Sequence, residues 1–209
     1  MRNLFSWLRI PGGAASSMLS RAMGRVAAVI AAIAGKHSTL RLNGSSQRVT
    51  FGNSMTFGNA DWWAHVLVNP QELGTSQHLF TKQDGGSPEP HEFHMALNTS
   101  NEFVFTVITN GYGSTNAVTS TVTATLGAWH SIYFGVHQTG GNIFISVNDE
   151  TLVTTTKTVT MTAGLAVLQI GAINDDGGDN HAKCDFAFVR SSTGNLSAAN
   201  RTTLANNQK

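Results

Sequence analysis

The stretch from residue 126 to residue 153 constrains the fold of this chain more than any other feature. Apolar residues alternate with polar or small ones over 131–136, and the alternation resumes over 143–147 after a glycine turn at 139–142. Period-2 alternation on both sides of a short glycine turn predicts a β-hairpin with one buried face. A second turn at Asn148 leads into a third strand from Leu152, so the stretch predicts an antiparallel meander.

Further strand-like segments, separated by turn-forming residues, extend from about residue 40 to about residue 190. The candidates before the hairpin are 40–51, 62–68, 78–82, 92–97, 102–109 and 117–126. Because long helices do not alternate with these segments, they predict an antiparallel body of two stacked sheets. The 209 residues suit one such domain.

Seven segments, taken in chain order, match the pattern of one known group of proteins. They are Leu40–Ser45, Trp62–Pro70, Leu126–His130, Ile143–Glu150, Leu168–Gly171, Cys184–Arg190 and Leu196–Asn200. In this order they resemble laminin-G-like, concanavalin A-like jelly rolls over about residues 38 to 205. The resemblance implies an all-β, antiparallel two-sheet jelly-roll sandwich with Trp129 in its core. It leaves function open, because the fold carries lectins, adhesion modules, enzymes and structural parts.

Residues 1–37 are predicted to form an arm that is separate from the jelly-roll domain at 38–209. A helix is expected from Ser16 or Ser17 to Gly35, which supplies a C-terminal stop. Five apolar residues of this helix follow the 4, 3, 4, 3 spacing of a coiled-coil seam: Leu19, Met23, Val26, Ile30 and Ile33. The seam predicts protein partners for the arm, and packing of the helix on its own domain is the alternative.

The first 60 residues, which include the arm, carry a net charge opposite to that of the rest of the chain. Residues 1–60 hold seven basic residues and no acid, giving +7, and the remainder holds 6 basic and 12 acidic residues, giving −6. A basic arm can seat on an acidic face of a neighbouring copy, and no Lys/Arg run with interleaved aromatics indicates nucleic acid. The apolar run after Arg25 has nine residues, against about 20 for a membrane span. A signal peptide cleaved after Ala34 is the alternative to a retained arm.

The glutamates do not have the pattern of a glycan-cleaving enzyme. Such enzymes need two carboxylates close together, and none of the five glutamates has an acidic residue two positions away on a strand. His91 and His94 would face opposite sides of a strand, so they cannot share a metal ion. The chain also lacks a nucleophile elbow and a phosphate loop. The sequence therefore predicts a domain without catalytic activity.

The densest group of oxygen ligands is the glycine-rich segment 174–181. With one acid from an earlier loop it supplies the candidate ligand-binding rim: Asp84, Asp175, Asp176, Asp179 and His181. Acidic side chains on such a loop can hold Ca²⁺, but the bidentate glutamate of an EF-hand is missing. The segment therefore predicts a solvated turn without a cofactor, and calcium binding is the alternative.

Two further predictions concern aromatic residues and the single cysteine. Trp62 and Trp63 are adjacent on a strand, so one should enter the core and the other can serve as a platform for a sugar or a protein. Cys184 alternates with Phe186 and has no second cysteine to pair with. It is expected to be a buried, unreactive thiol.

Two functional hypotheses follow from these observations. The first is a structural or adhesion module that its arm anchors to a larger assembly, such as a virion decoration or a surface layer. The second is a secreted, lectin-like carbohydrate-binding domain, with calcium dependence left open. Both place the protein outside the cell or on a virion surface, and the first also predicts an oligomer.

Overall fold

The computed structural model describes residues 39–55, 57, 60–83, 93–108, 115–138, 140–148, 150–157, 166–172 and 180–194. Within these ranges the chain forms twelve β-strands. They are β1 (Leu40–Arg41), β2 (Val49–Thr50), β3 (Trp62–Pro70), β4 (Gln77–Gln83), β5 (Phe93–Leu97), β6 (Glu102–Ile108), β7 (Thr115–Thr123), β8 (His130–His137), β9 (Asn142–Val147), β10 (Val153–Thr156), β11 (Val167–Ile170) and β12 (Cys184–Thr193).

The strands form two six-stranded sheets. The first sheet has the order β1-β12-β3-β8-β9-β10, and the second has the order β2-β11-β4-β5-β6-β7. Adjacent strands pair antiparallel in both sheets. The predicted central hairpin is β8 and β9, in which Phe134 pairs with Ile145. The all-β, two-sheet architecture is therefore confirmed, while the predicted helical arm lies outside the described residues.

The single strand expected over residues 40–51 is wrong, because the chain turns in the middle of it. Oδ1 of Asn43 accepts hydrogen bonds from the backbone N–H groups of Ser45, Ser46 and Gln47. Gly44 adopts a positive φ of 76° inside this turn. The local side-chain bonds replace strand pairing, so β1 joins the first sheet and β2 the second.

The core between the sheets is centred on Trp62, which is fully buried. Its indole lies 4.7 Å from the ring of Phe57 and 4.8 Å from that of Phe93, measured between centroids. Phe105 and Phe134 contact it edge-on at 5.8 and 6.3 Å. Stacked and edge-on aromatic pairs add to the free energy of burial. One tryptophan of the Trp62–Trp63 pair therefore enters the core, as predicted.

The thiol of Cys184 is also buried between the sheets. Burial raises the pKa of this thiol to about 12. A thiol with so high a pKa carries almost no thiolate at neutral pH and is a poor nucleophile. The predicted burial of this cysteine is confirmed.

Glu150 joins the edges of the two sheets. It follows β9, and its carboxylate accepts hydrogen bonds from the backbone N–H of Val147 at 3.0 Å and from Oγ of Ser120 on β7 at 2.7 Å. The backbone N–H and hydroxyl of Thr121 on β7 also donate to it. One ionised side chain thus fixes the β9–β10 turn to an edge strand of the opposite sheet.

A second aromatic cluster lies on the outer face of the first sheet. Tyr133 and Phe144 are fully buried there, with Trp63 and Leu152 packed against them. His65 stacks on Tyr133 with ring centroids 4.0 Å apart, and its Nε2 lies 2.9 Å from Oγ of Ser131. Burial, with the nearby Arg190 charge, lowers the pKa of His65 to about 3. This histidine is therefore neutral at physiological pH.

The predicted burial of Trp129 is wrong. Its side chain is 43% exposed, and Leu126 in the same turn is 58% exposed. The physical reason is strand alternation: His130 faces the core beside Phe103, so the preceding residue faces away from it.

Trp63 is the residue of the Trp62–Trp63 pair that could serve as a platform. Its side chain is half-buried, and the Arg190 guanidinium lies 5.6 Å from its ring centroid.

Candidate functional site

Of the five predicted rim residues, only His181 is among the described residues. Asp84, Asp175, Asp176 and Asp179 lie outside them, as do all five seam residues of the arm. His181 is buried and forms a parallel bridge with His78 at the start of β4.

A polar pocket of about 220 Å³ lies at the end of the sandwich where β4 begins. It is lined by the β3–β4 connection, the first residue of β4 and the segment before β12: Gly44, Glu72, Thr75, Ser76, Gln77, Asn180, His181 and Lys183. Every side chain in this lining except that of Gly44 carries a hydrogen-bonding group. The volume suits a small polar group rather than a large apolar ligand.

Gln77 holds the wall of this pocket together. Its Oε1 accepts a hydrogen bond from the backbone N–H of Lys183 at 2.9 Å. Its Nε2 donates to the backbone carbonyl of Glu72 at 2.9 Å and to the hydroxyl of Thr75 at 3.3 Å. One buried amide therefore ties both sides of the pocket together, which fixes the groups at its rim.

Gly44 leaves no space for a larger residue in this wall. A Cβ at position 44 would lie 2.7 Å from Cβ of Lys183, and the positive φ of Gly44 disfavours any other residue. The turn after β1 can therefore approach the β12 segment closely only with glycine.

One positively charged and one negatively charged side chain lie at the rim of the pocket. Nζ of Lys183 lies 3.3 Å from Oε2 of Glu72, and the two side chains are 47% and 41% exposed. An ammonium donates hydrogen bonds, a carboxylate accepts them, and the hydroxyls of Thr75 and Ser76 do both. This set of groups suits a ligand that carries several hydroxyls, because each hydroxyl both donates and accepts.

Next to the pocket, polar side chains cross the outer face of the second sheet. The rings of His78 and His94 are 5.1 Å apart in an edge-on contact. Thr81 pairs with His94 on one side and with Gln169 on the other, and the buried Oε1 of Gln169 has no hydrogen-bond partner. Within the described part of the chain, no three His, Cys, Asp or Glu side chains are placed to hold a metal ion.

The carboxylates of the described residues are engaged by separate partners. Asp61 accepts a hydrogen bond from the backbone N–H of Gln138, Glu102 from Asn98, and Asp185 from Arg41. Glu72 and Glu150 have the partners given above. Among the described residues, each of these carboxylates therefore has a partner of its own within the fold.

Sequence reasoning found His181 and missed the rest of the pocket. Glu72, Thr75 and Ser76 belong to a connection without a recognisable motif, and Lys183 precedes a strand. Their common place at one end of the sandwich follows from the antiparallel pairing of β12 with β3, in which Cys184 pairs with Pro70. Knowledge of the strand order in the sheet would have predicted that these residues lie close together.

The family of the chain follows from a match along most of its length. A family model described as concanavalin A-like lectin/glucanases superfamily matches residues 43–200. The chain belongs to this superfamily. The resemblance predicted from the sequence is therefore confirmed, and the pocket lies within the superfamily domain.

Three solved structures of similar fold have low sequence identity to this chain. The CBM40 domain of Ruminococcus gnavus IT-sialidase bound to α2,3-sialyllactose is 10% identical, with a TM-score of 0.65 over 80% of this chain and 95% of that one. Domain 4 of AbnA, a GH43 extracellular arabinanase from Geobacillus stearothermophilus, in complex with arabinotriose, is 18% identical, with a TM-score of 0.61 over 80% and 76%.

The third is the NanB sialidase from Streptococcus pneumoniae, as its K499G mutant. It is 13% identical, with a TM-score of 0.66 over 79% of this chain, which spans 27% of the sialidase chain. At these identities the likeness shows the fold alone. No curated protein matches the chain in sequence.

Proposed function

We propose that this protein is a non-enzymatic carbohydrate-binding domain whose ligand enters the pocket at the start of β4. The observation that carries the proposal is the pocket lining, which combines a carboxylate, an ammonium, two hydroxyls, two amides and an imidazole within one small cavity. Such a set can hydrogen-bond several hydroxyls of a sugar at once. The two similar structures that contain α2,3-sialyllactose and arabinotriose support a glycan as the ligand.

The test is a glycan array probed with the full chain, followed by calorimetry on the glycans that bind. The array should include α2,3-sialyllactose and arabinotriose, and each incubation is run with calcium and with a chelator. We expect Glu72→Gln and His181→Ala to weaken binding about tenfold each, because the first replaces a charged hydrogen-bond acceptor by a neutral amide and the second removes the imidazole from the pocket.

Glu102→Gln is the matched control, because Glu102 lies outside the pocket and bonds Asn98. It should change affinity less than twofold. An array without binding, or variants that bind as well as the natural chain, would contradict the proposal. Loss of binding in the chelator alone would favour the alternative for the segment with Asp175, Asp176 and Asp179, in which it binds calcium.

The absence of catalysis has its own test. Each glycan that binds is incubated with the protein, and new reducing ends are measured over time. We expect none. Release of reducing ends, lost in a variant of any single acidic residue, would replace the binding proposal with glycan hydrolysis.

The second candidate function is anchoring of this domain to a larger assembly by residues 1–37. The opposite charges of arm and body favour it, as does the seam of Leu19, Met23, Val26, Ile30 and Ile33. In the full chain, Val26→Glu combined with Ile30→Glu should abolish association in light scattering. Unchanged association would contradict this role.

An oligomer, and a location outside the cell or on a virion, also stay predictions. No helix in the described ranges is long and apolar enough to cross a membrane.

A further inference from the structure

Trp129 combines wide exposure with a fixed position. Four hydrogen bonds hold the turn that carries it. The N–H of Ala124 donates to Asn101 O at 2.7 Å, and that of Gly127 donates to Pro70 O at 2.9 Å. The N–H of Thr125 donates to Nε2 of His130 at 3.1 Å, and that of Ala128 donates to Thr125 O at 3.2 Å. An aromatic ring on such a turn loses little conformational entropy when it binds a ligand.

The turn lies close to the pocket, across one strand. The segment Pro70–Gln71 is hydrogen-bonded on one side to Gly127, at 2.9 Å, and on the other to the carbonyl of Lys183, at 2.8 Å. Two inter-strand spacings, about 10 Å, therefore separate the Trp129 turn from Lys183 at the pocket rim. A single sugar ring does not cover this distance, and a short oligosaccharide does.

Polar groups lie between the tryptophan and the pocket. Val68 on β3 pairs with His130 on β8. Because these strands are antiparallel, Asn69 and Trp129 are the neighbouring residues one position further along. Asn69 is about nine-tenths buried, and its Oδ1 has no hydrogen-bond partner. Beyond it, Asp185 pairs with Asn69 and holds the Arg41 guanidinium through two bonds of 2.7 and 2.8 Å. The Asn69 amide is next to residue 129, and the Asp185 carboxylate and the Arg41 guanidinium lie one and two strands further on. Groups of these kinds can hydrogen-bond the hydroxyls of an oligosaccharide that is stacked on the tryptophan ring.

We propose that Trp129 is the stacking platform for a second sugar ring, so that the ligand of this domain is an oligosaccharide with its terminal unit in the pocket. This inference rests on the proposed function and adds the size of the ligand and the residue that selects it. The exposed indole supplies an apolar face, and the pocket supplies hydrogen bonds.

The experiment measures affinity against ligand length with the full chain. Three series are titrated by calorimetry: arabinose to arabinotriose, glucose to cellotriose, and galactose, lactose and α2,3-sialyllactose. In the series that binds, the trisaccharide should bind at least tenfold more tightly than the monosaccharide. Trp129→Ala should remove about tenfold from trisaccharide affinity and change monosaccharide affinity less than twofold.

Two variants serve as controls. Trp129→Phe keeps an aromatic face and should retain most of the trisaccharide affinity. Leu126→Ala removes an exposed apolar side chain from the same turn without removing a ring, and should change affinity less than twofold. Both positions are exposed, so thermal unfolding should be nearly unchanged in all three variants.

The outcomes separate this inference from the proposed function. Equal affinity for mono- and trisaccharide, with no effect of Trp129→Ala, would overturn the platform and leave glycan binding in the pocket intact. A Trp129→Ala variant with natural glycan affinity but a changed mass in light scattering would assign the ring to a protein contact, also overturning the inference. Absence of binding in all three series and on the glycan array would overturn both proposals.

Discussion

The interior of the sandwich and the end that carries the pocket differ in the polarity and the exposure of their side chains. Around Trp62 the side chains are apolar, fully buried and in ring-to-ring contact. Around the pocket they are polar or charged, and its ion pair is about half exposed. Burial gives the interior most of the folding free energy, whereas the pocket end contributes little and is available for binding. Substitutions should therefore affect stability in one region and binding in the other.

Trp62→Ala should have the largest effect on stability. It leaves a cavity among Phe57, Phe93, Phe105 and Phe134, and such truncations cost about 3–5 kcal/mol. Urea unfolding followed by circular dichroism measures the loss. Trp129→Ala is the matched control and should cost less than about 0.5 kcal/mol. Similar losses for the two tryptophans would remove the distinction between interior and pocket end.

Gly135→Ala tests the closest packing between β8 and β3. A Cβ at this position would lie 2.2 Å from the carbonyl oxygen of Trp62 and 2.9 Å from Cζ of Phe144. Overpacking of this kind costs about 1–3 kcal/mol, or more where backbone must move. Gly140→Ala is the control, because its Cβ would meet nothing closer than 3.6 Å. Equal stability of the two variants in thermal unfolding would show that the strands are not packed as described.

The buried His65 should make the protein less stable in mild acid. Its pKa is lowered to about 3 in the fold, mainly by burial, and lies near 6.5 in an unfolded chain. Below pH 6.5 the unfolded chain therefore binds the proton and the folded chain does not, so stability falls as pH falls. Between pH 7.5 and pH 5 this group should cost about 2 kcal/mol.

Urea unfolding at the two pH values measures this loss, and His65→Gln should abolish the part that His65 contributes. Burial also lowers the pKa of His130 and of His137, so a smaller dependence should remain in the variant. A variant with the full dependence of the natural chain would mean that His65 titrates normally and is not buried.

Glu72→Gln should have the smallest effect on stability. The carboxylate pairs with Lys183 at 3.3 Å, but both side chains are about half exposed, and such pairs contribute about 0–1 kcal/mol. The free energy of unfolding should fall by less than about 0.5 kcal/mol, while glycan affinity falls about tenfold. A loss above about 2 kcal/mol would place this residue with the interior.

The sequence predicted the sheets better than it predicted the site, for a physical reason. Alternation in β8 and β9 reports which side chains are buried, and this signal is local, so the hairpin and the core position of Phe134 could be predicted. The split between β1 and β2 depends on side-chain hydrogen bonds of Asn43, which a period-2 pattern does not contain. The family likeness implied a buried Trp129, whereas the alternation around His130 places residue 129 on the exposed face.

The pocket could not be predicted because it depends on strand order. Glu72 and Lys183 are far apart in the chain and meet only because β12 lies beside β3. His181 was found because it belongs to a polar, glycine-rich segment that is visible in the sequence. Residues that line a pocket from different connections have no such local signature.

Hydrogen exchange of the full chain, with and without the glycan that binds best on the array, tests the central claim most directly. The account predicts slower exchange at residues 70–77, 124–130 and 180–184 upon binding, with little change at the opposite end of the sandwich, around 138–141. Protection confined to that opposite end, or to the outer face of the first sheet around Tyr133, would contradict it.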